Sequence, residues 1–237
     1  MPTETSLFFD LDGTLTDPKS GITASIQYAL QRLGREVPPQ DELVWCIGPP
    51  LRTSFVTLLG AEELADRAVA LYRERFGDIG LFENSLYPDI ESVLAVLARP
   101  GVHKFVATSK PHVFAKRIID HFGLAGHFEH VFGSELDGTR VRKDDLLAYA
   151  LEQSGADPSR ALMIGDRIHD VVGAKANGLD AVGVTYGYGS REELIAAGAR
   201  HLCASPRAIV EVIHSSANAA RAVNPTWPIG VPDRRIL

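Results

Sequence analysis

The stretch Leu7-Phe8-Phe9-Asp10-Leu11-Asp12-Gly13-Thr14-Leu15-Thr16 carries an apolar run straight into two carboxylates and a glycine. At the end of a strand, residues two apart look towards the same side of the sheet, so Asp10 and Asp12 face one space. Gly13 lets the backbone turn away sharply, and the strand ends of an open α/β sheet are where such folds bind ligands. The pair suits a carboxylate nucleophile beside an acid/base. Asp-Gly is also a common turn dipeptide, and Asp and Thr also cap helices, so the later segments decide between the two readings.

Three later segments supply the other parts that attack on a phosphate ester requires. Phe105-Val106-Ala107-Thr108-Ser109-Lys110-Pro111 reads as a buried strand ending in two hydroxyls, followed by a proline suited to a helix start. Hydroxyls and free amides at such a place bind phosphate oxygens, or simply cap the helix. Arg142-Lys143-Asp144-Asp145 opens an apolar-periodic run through Leu146, Leu147, Tyr149, Ala150 and Leu151, and its lysine can offset charge where a carboxylate meets a phosphate dianion. Ala161 to Gly165 reads as another buried strand, which delivers Asp166 and, four residues on, Asp170. If a helix starts near Arg167, these two acids share a side, and hard oxygen ligands of this kind suit Mg²⁺; acids are also favoured in any first helical turn.

In this order, DLDGTLT at 10–16, VATSK at 106–110, Lys143 and GDRIHD at 165–170 resemble the four signatures of the haloacid dehalogenase superfamily. Ile47-Gly48-Pro49-Pro50-Leu51-Arg52, Tyr87-Pro88 and Val184 to Ser190 are most similar to its phosphoglycolate phosphatase-like branch, some members of which are named for nucleotide or pyrophosphate substrates. The resemblance implies a Mg²⁺-dependent phosphatase of small phosphate monoesters that works through an aspartyl phosphate. It implies Asp10 as nucleophile and Asp12 as acid/base, with Asp10, Asp166 and the main-chain carbonyl of Asp12 on the metal and Asp170 orienting that shell or Lys143. Thr108, Ser109, Lys143 and the amides of Leu11 and Asp12 are then the phosphate-binding groups. The namesake dehalogenases lack the second aspartate, so Asp12 points to phosphate chemistry. Two departures stand out: Lys143 is preceded by Arg142 and not followed by proline, and Asp89 replaces the glycine frequent after Tyr-Pro.

The implied fold is α/β: a Rossmann-like parallel sheet flanked by helices, with an inserted α-helical cap. Strands are expected over 5–10, 103–108, 130–133, 160–165, 180–185 and 200–203. Helices are expected over 89–98, 111–121, 143–154, 168–177, 190–198 and 206–214. Residues 16–86 break the alternation: Ile22, Ile26, Ala29, Leu30 and Leu33 fit one helix face, Leu64, Ala68, Leu71, Tyr72 and Phe76 another. The expected domains are a core at 1–15 and 87–216, a helical cap at 16–86 and an irregular tail at 217–237, where three prolines fall between Pro225 and Pro232. Arg52, on a turn stiffened by Pro49 and Pro50, is the cap's candidate for touching substrate, and Lys110 is either near the phosphate or on the surface.

Composition agrees. The chain has 237 residues, 45% of them hydrophobic, and 24 basic against 30 acidic residues leave a net charge of −6. That balance argues against nucleic-acid or anionic-membrane partners, and the resemblance implies a small phosphorylated metabolite as partner. Cys46 and Cys203 form no metal-ligand spacing, and no signal or membrane-spanning run is evident, so a cytoplasmic monomer or homodimer is expected. The competing readings are a phosphomutase, a nucleotide or pyrophosphate hydrolase of the same superfamily, and a non-catalytic receiver or binding module.

Overall fold

Thr5–Phe9 (β1) forms the middle of a parallel sheet because every second side chain serves a different face. The computed structural model describes residues 4–223, with side chains as far as Ser215. After β1 comes a short ribbon in which Thr16–Asp17 (β2) pairs antiparallel with Ser85–Leu86 (β3). Between these two strands lie helices Lys19–Arg32 (α1), Leu51–Leu59 (α2) and Ala65–Arg75 (α3), a 3₁₀ segment Gln40–Cys46 and a π-helical turn Phe76–Gly80. We call residues 16–86 the insert. Helices α1 and α3 were expected, but the ribbon was not, because two residues per strand are too few to show a period.

The rest of the chain alternates Ile90–Val96 (α4), Val102–Pro111 (β4), His112–His121 (α5), His130–Ser134 (β5), Lys143–Ser154 (α6), Ala161–Gly165 (β6), Ile168–Ala176 (α7), Asp180–Val184 (β7), Arg191–Ala197 (α8), His201–Cys203 (β8) and Pro206–Val223 (α9). The sheet order is β5-β4-β1-β6-β7-β8, with all pairs parallel. Leu7, Phe9, Val106, Ile164, Val182 and Val184 point to the face covered by α4, α5 and α9. Phe8, Phe105, Ala107, Met163 and Ala181 point to the face covered by α6, α7 and α8. Burial on both faces is why these strands read as continuous apolar runs. The apolar interior of the insert, including Ile26, Phe55, Tyr72 and Phe76, is continuous with the first of these clusters.

Two details differ from the sequence reading. β4 runs on to Pro111, with a register irregularity between Thr108 and Pro111, so the hydroxyl segment is extended chain and not a helix start. Helix α9 continues to Val223, through residues 217–223 that were expected to be irregular, because the run Ala217-Asn218-Ala219-Ala220-Arg221-Ala222 is rich in helix formers and Pro225 is the first breaker. The remainder of the expected tail, with Trp227 and Ile229, lies outside the described residues. Asp89, where relatives often carry glycine, sits in the left-handed region at φ 69° and its carboxylate accepts a hydrogen bond from Arg207 on α9 at 2.8 Å. Asp is among the few side chains that tolerate that region.

Candidate active site

Asp10 stands one residue past β1, where its amide still donates to the Ile164 carbonyl of β6 at 2.9 Å. Beyond it the chain turns back on itself: the Leu11 carbonyl accepts from Leu15 at 2.9 Å and Thr16 at 3.0 Å. No hydrogen bond among the described residues takes up the amides of Leu11 and Asp12. Gly13 makes the turn possible, at φ 81°, and a Cβ there would lie 2.1 Å from Asp166 Oδ2. The loop therefore presses the DxD segment against the acid delivered by β6.

Lys143 is the first residue of α6, and its side chain is 3% exposed. Nζ lies 3.0 Å from Asp10 Oδ1 and 2.8 Å from Asp170 Oδ1, and it donates to the Ala107 carbonyl at 2.9 Å. Burial works against the ammonium, but Asp10 and Asp170 outweigh it and hold the lysine protonated above its ordinary range. Arg142, the cation that precedes it, is on the surface with Asp144, its Nε 3.1 Å from Asp144 Oδ1.

Asp166 is wholly buried, whereas Asp10 is 8% exposed. Oδ2 of Asp166 accepts the Tyr188 amide at 2.8 Å, and its Oδ1 has no hydrogen-bond partner among the described residues. Asp170 accepts the Arg167 amide through Oδ2 at 3.0 Å and uses Oδ1 for Lys143. Ligand oxygens of Asp10, Asp166 and Asp170 lie within 4.8 Å of one another. Burial, with the neighbouring charges of Asp170 and Asp10, pushes Asp166 well above the usual carboxylate range, and burial pushes Asp170 up to about 6 against the pull of Lys143.

Thr108 and Ser109 flank the same space on β4. Thr108 is buried, and its Oγ1 accepts the amide of Lys110 at 3.2 Å; the Ser109 carbonyl accepts from Ser134 at 2.8 Å. Lys110 belongs to the site and not to the surface. Its Nζ lies 2.7 Å from Asp12 Oδ2 and 4.5 Å over the ring of Phe76, which the insert supplies. Burial raises the pKa of Asp12, and the Lys110 charge partly reverses that.

Four carboxylates thus meet two ammonium groups. The Asp166 oxygen without a partner among the described residues and the all-oxygen donor set of Asp10, Asp166 and Asp170 together fit a hard divalent cation.

Arg52 does not join this group. It is 48% exposed on α2, with Nε 2.8 Å from Asp66 Oδ1 and Nη1 3.2 Å from Glu62 Oε1. The residues that do join the insert to the core were not singled out from sequence. The Tyr188 hydroxyl donates to Asp17 at the ribbon and Arg167 to the Ile47 carbonyl, while the Tyr186 hydroxyl braces the loop just before the insert through the Thr14 carbonyl at 2.9 Å. The run Tyr186-Gly187-Tyr188 was legible as a motif, but nothing local tells which distant carbonyl or carboxylate each hydroxyl meets.

Comparison with known proteins bears on the same segments. The sequence profile described as haloacid dehalogenase-like hydrolase matches residues 7–184. A Pseudomonas aeruginosa protein named 5'-nucleotidase is 47% identical over 211 residues, 89% of this chain and 96% of that one. A Mycobacterium tuberculosis protein named tyrosine-protein kinase PtkA is 44% identical over 183 residues, 77% of this chain and 62% of that one. A second P. aeruginosa protein, named phosphoglycolate phosphatase 1, is 30% identical over 190 residues, 77% of this chain and 70% of that one. The crystal structure of a protein from Clostridium acetobutylicum, described as a predicted phosphatase, superposes with a TM-score of 0.86 at 44% identity, over 90% of this chain and 99% of that one.

Proposed function

The chain belongs to the haloacid dehalogenase-like hydrolase family and acts on phosphate esters, and from that premise we propose a Mg²⁺-dependent phosphomonoesterase of small metabolites that works through an aspartyl phosphate. The observation that carries this reading is the charge arrangement around Asp10: the one solvent-reachable acid of the buried trio, held by Lys143, beside a second acid held by Lys110.

The carboxylate of Asp10 attacks phosphorus, the ester P–O bond breaks, and Asp12 hands its proton to the leaving oxygen. Asp12 then takes a proton from water as water attacks the aspartyl phosphate, which restores Asp10 and releases inorganic phosphate. A raised pKa suits Asp12 to the first of these duties, because it keeps a proton available. Lys143 holds Asp10 in place and neutralises charge as the dianion approaches. Like charges 4 Å apart repel by about 4 kcal/mol at an effective dielectric of 20, so several cations are needed. Thr108, Ser109 and the amides of Leu11 and Asp12 bind phosphoryl oxygens. Asp10, Asp166 and the Asp12 carbonyl would hold Mg²⁺, which supplies further neutralisation of the phosphoryl charge when bound. Asp170, engaged by Lys143 and the Arg167 amide, orients this set.

Residues 16–86 serve as the cap that excludes water and chooses the leaving group. For the substrate, we rank nucleoside 5'-monophosphates ahead of phosphoglycolate, the substrate implied by sequence resemblance alone; the relative named 5'-nucleotidase, similar over almost the full length of both chains, supports that order. The test is phosphate release from nucleoside monophosphates, phosphoglycolate, sugar phosphates, pyrophosphate and p-nitrophenyl phosphate, with Mg²⁺ or EDTA, for wild type and Asp10→Asn. Release that requires Mg²⁺ and vanishes in the variant is the expected result. Activity that survives in Asp10→Asn would overturn the mechanism, and a sugar phosphate isomer without free phosphate would replace hydrolysis with phosphoryl return.

A further inference from the structure

Arg167 follows Asp166 directly, yet its side chain leaves the carboxylates and reaches across to the insert. Its side chain is 16% exposed and donates through Nη1 to the main-chain carbonyl of Ile47, while Nε lies 3.1 Å from Glu193 Oε1. Glu193, on α8, accepts the Ile168 amide through the same oxygen at 2.7 Å, so it fixes both the arginine and the start of α7. The main-chain amide of Arg167 donates to Asp170. One residue thus touches the Asp170 carboxylate with its backbone and the insert with its side chain.

The insert meets this arginine with a rigid piece of chain. Ile47 is buried, and Gly48-Pro49-Pro50 leads without slack into α2. Gly48 has φ 107°, and a Cβ there would lie 2.9 Å from both Cγ and Nη1 of Arg167. The turn is therefore shaped to let the guanidinium in. An arginine fork on a carbonyl and a carboxylate is a geometrically specific contact that a lysine point charge does not reproduce.

We propose that Arg167 is a positioning residue: seated on Glu193, it clasps the Ile47 carbonyl and so ties the closed position of the insert to the loop that carries Asp166 and Asp170. The proposal rests on the phosphatase reading of those two acids. The backbone amide of Arg167 serves Asp170 whatever its side chain does, so the clasp sets where the insert sits while the acid cluster stays in place. The Gly-Pro-Pro turn has the part of a catch and not of a substrate contact.

The test uses the full chain as wild type, Arg167→Ala, Arg167→Lys, Gly48→Ala and the Arg167→Ala/Gly48→Ala double variant. Hydrogen exchange, without metal or substrate, should run about ten-fold faster over residues 44–51 in Arg167→Ala and Gly48→Ala, with β1 and β6 unchanged. With p-nitrophenyl phosphate and Mg²⁺, kcat should fall about ten- to hundred-fold in both, with Arg167→Lys failing to restore it. Inhibition by inorganic phosphate, which reads only the core, should stay within about two-fold of wild type. Because both substitutions break one contact, the double variant should be no worse than the worse single one. Unchanged exchange over 44–51, multiplying effects in the double variant, or faster exchange with an unchanged kcat would each overturn the clasp. If wild type itself released no phosphate, the phosphatase reading would fall, while the exchange measurement would still decide whether Arg167 holds the insert.

Discussion

Lys143 and Arg52 are both cations that the sequence offers to the phosphate ester, and the fold treats them in opposite ways. Lys143 is buried between two elements of a sheet core and is held by Asp10, Asp170 and the Ala107 carbonyl. Arg52 lies on the outside of the insert, half exposed, between Glu62 and Asp66. The difference teaches where this molecule keeps its fixed parts. Groups at the strand ends are desolvated, so their charges act at full strength and cannot wander. Groups on the insert's outer surface are screened by water, and their pairs add little.

The sharpest way to break the comparison is Lys143→Met. It should lower kcat by roughly 10²- to 10³-fold, as removal of a fixed charge from a water-poor site does. It should also destabilise the metal-free protein by about 3–5 kcal/mol, because the partners are left buried and unpaired. Less than ten-fold loss of kcat in steady-state assays would mean that Lys110 or another cation serves Asp10.

Metal addition comes next in size. Mg²⁺ at one hundred times its dissociation constant should stabilise wild type by about 2.7 kcal/mol, read by denaturant unfolding. Asp166→Asn should lose that gain, and a full gain in the variant would remove Asp166 from the metal.

A pH effect of more modest size separates core from insert. Asp170 has a folded pKa of about 6 against 3.8 for the ordinary side chain, and Asp12 and Asp166 shift in the same direction. Between the two values the folded protein holds a proton that the unfolded chain has released. Stability of the metal-free protein should therefore fall as pH rises from about 4 through 6, and thermal melts at pH 5 and pH 7.5 with EDTA read it. Melts of equal stability at both would mean that the acids are already neutralised by something else. The smallest effect is expected of Arg52→Ala, with thermal melts that match those of wild type. Its activity should stay within about two-fold on every phosphate ester tested; a selective rise in KM for one substrate would restore Arg52 as a specificity contact.

Much of the core was legible because the strands are buried on both faces and the helices on one. Alternation and apolar runs report burial directly, and α6 begins and ends where its pattern does, at Lys143 and Ser154. The ribbon β2–β3 and the π-helical turn at 76–80 were not legible, since each is too short for a period and exists because the insert must return to where it left. α2 escaped notice for a related reason: Gly48, Pro49 and Pro50 announce a turn, and nine residues follow with only Ser54 and Phe55 buried.

By itself the sequence determined the order of strands and helices, the acids at the strand ends and the place where the alternation is interrupted. Those follow from local periodicity and from residue chemistry, which the chain carries wherever it folds. Only the tertiary structure decided which cation meets which acid: Lys143 and not Arg142 at Asp10, Lys110 at Asp12, Arg52 among its own neighbours, and Arg167 on a carbonyl 120 positions away. Pairing of charges depends on distance in space and on how far water is excluded, and neither quantity is written in the spacing of residues along the chain.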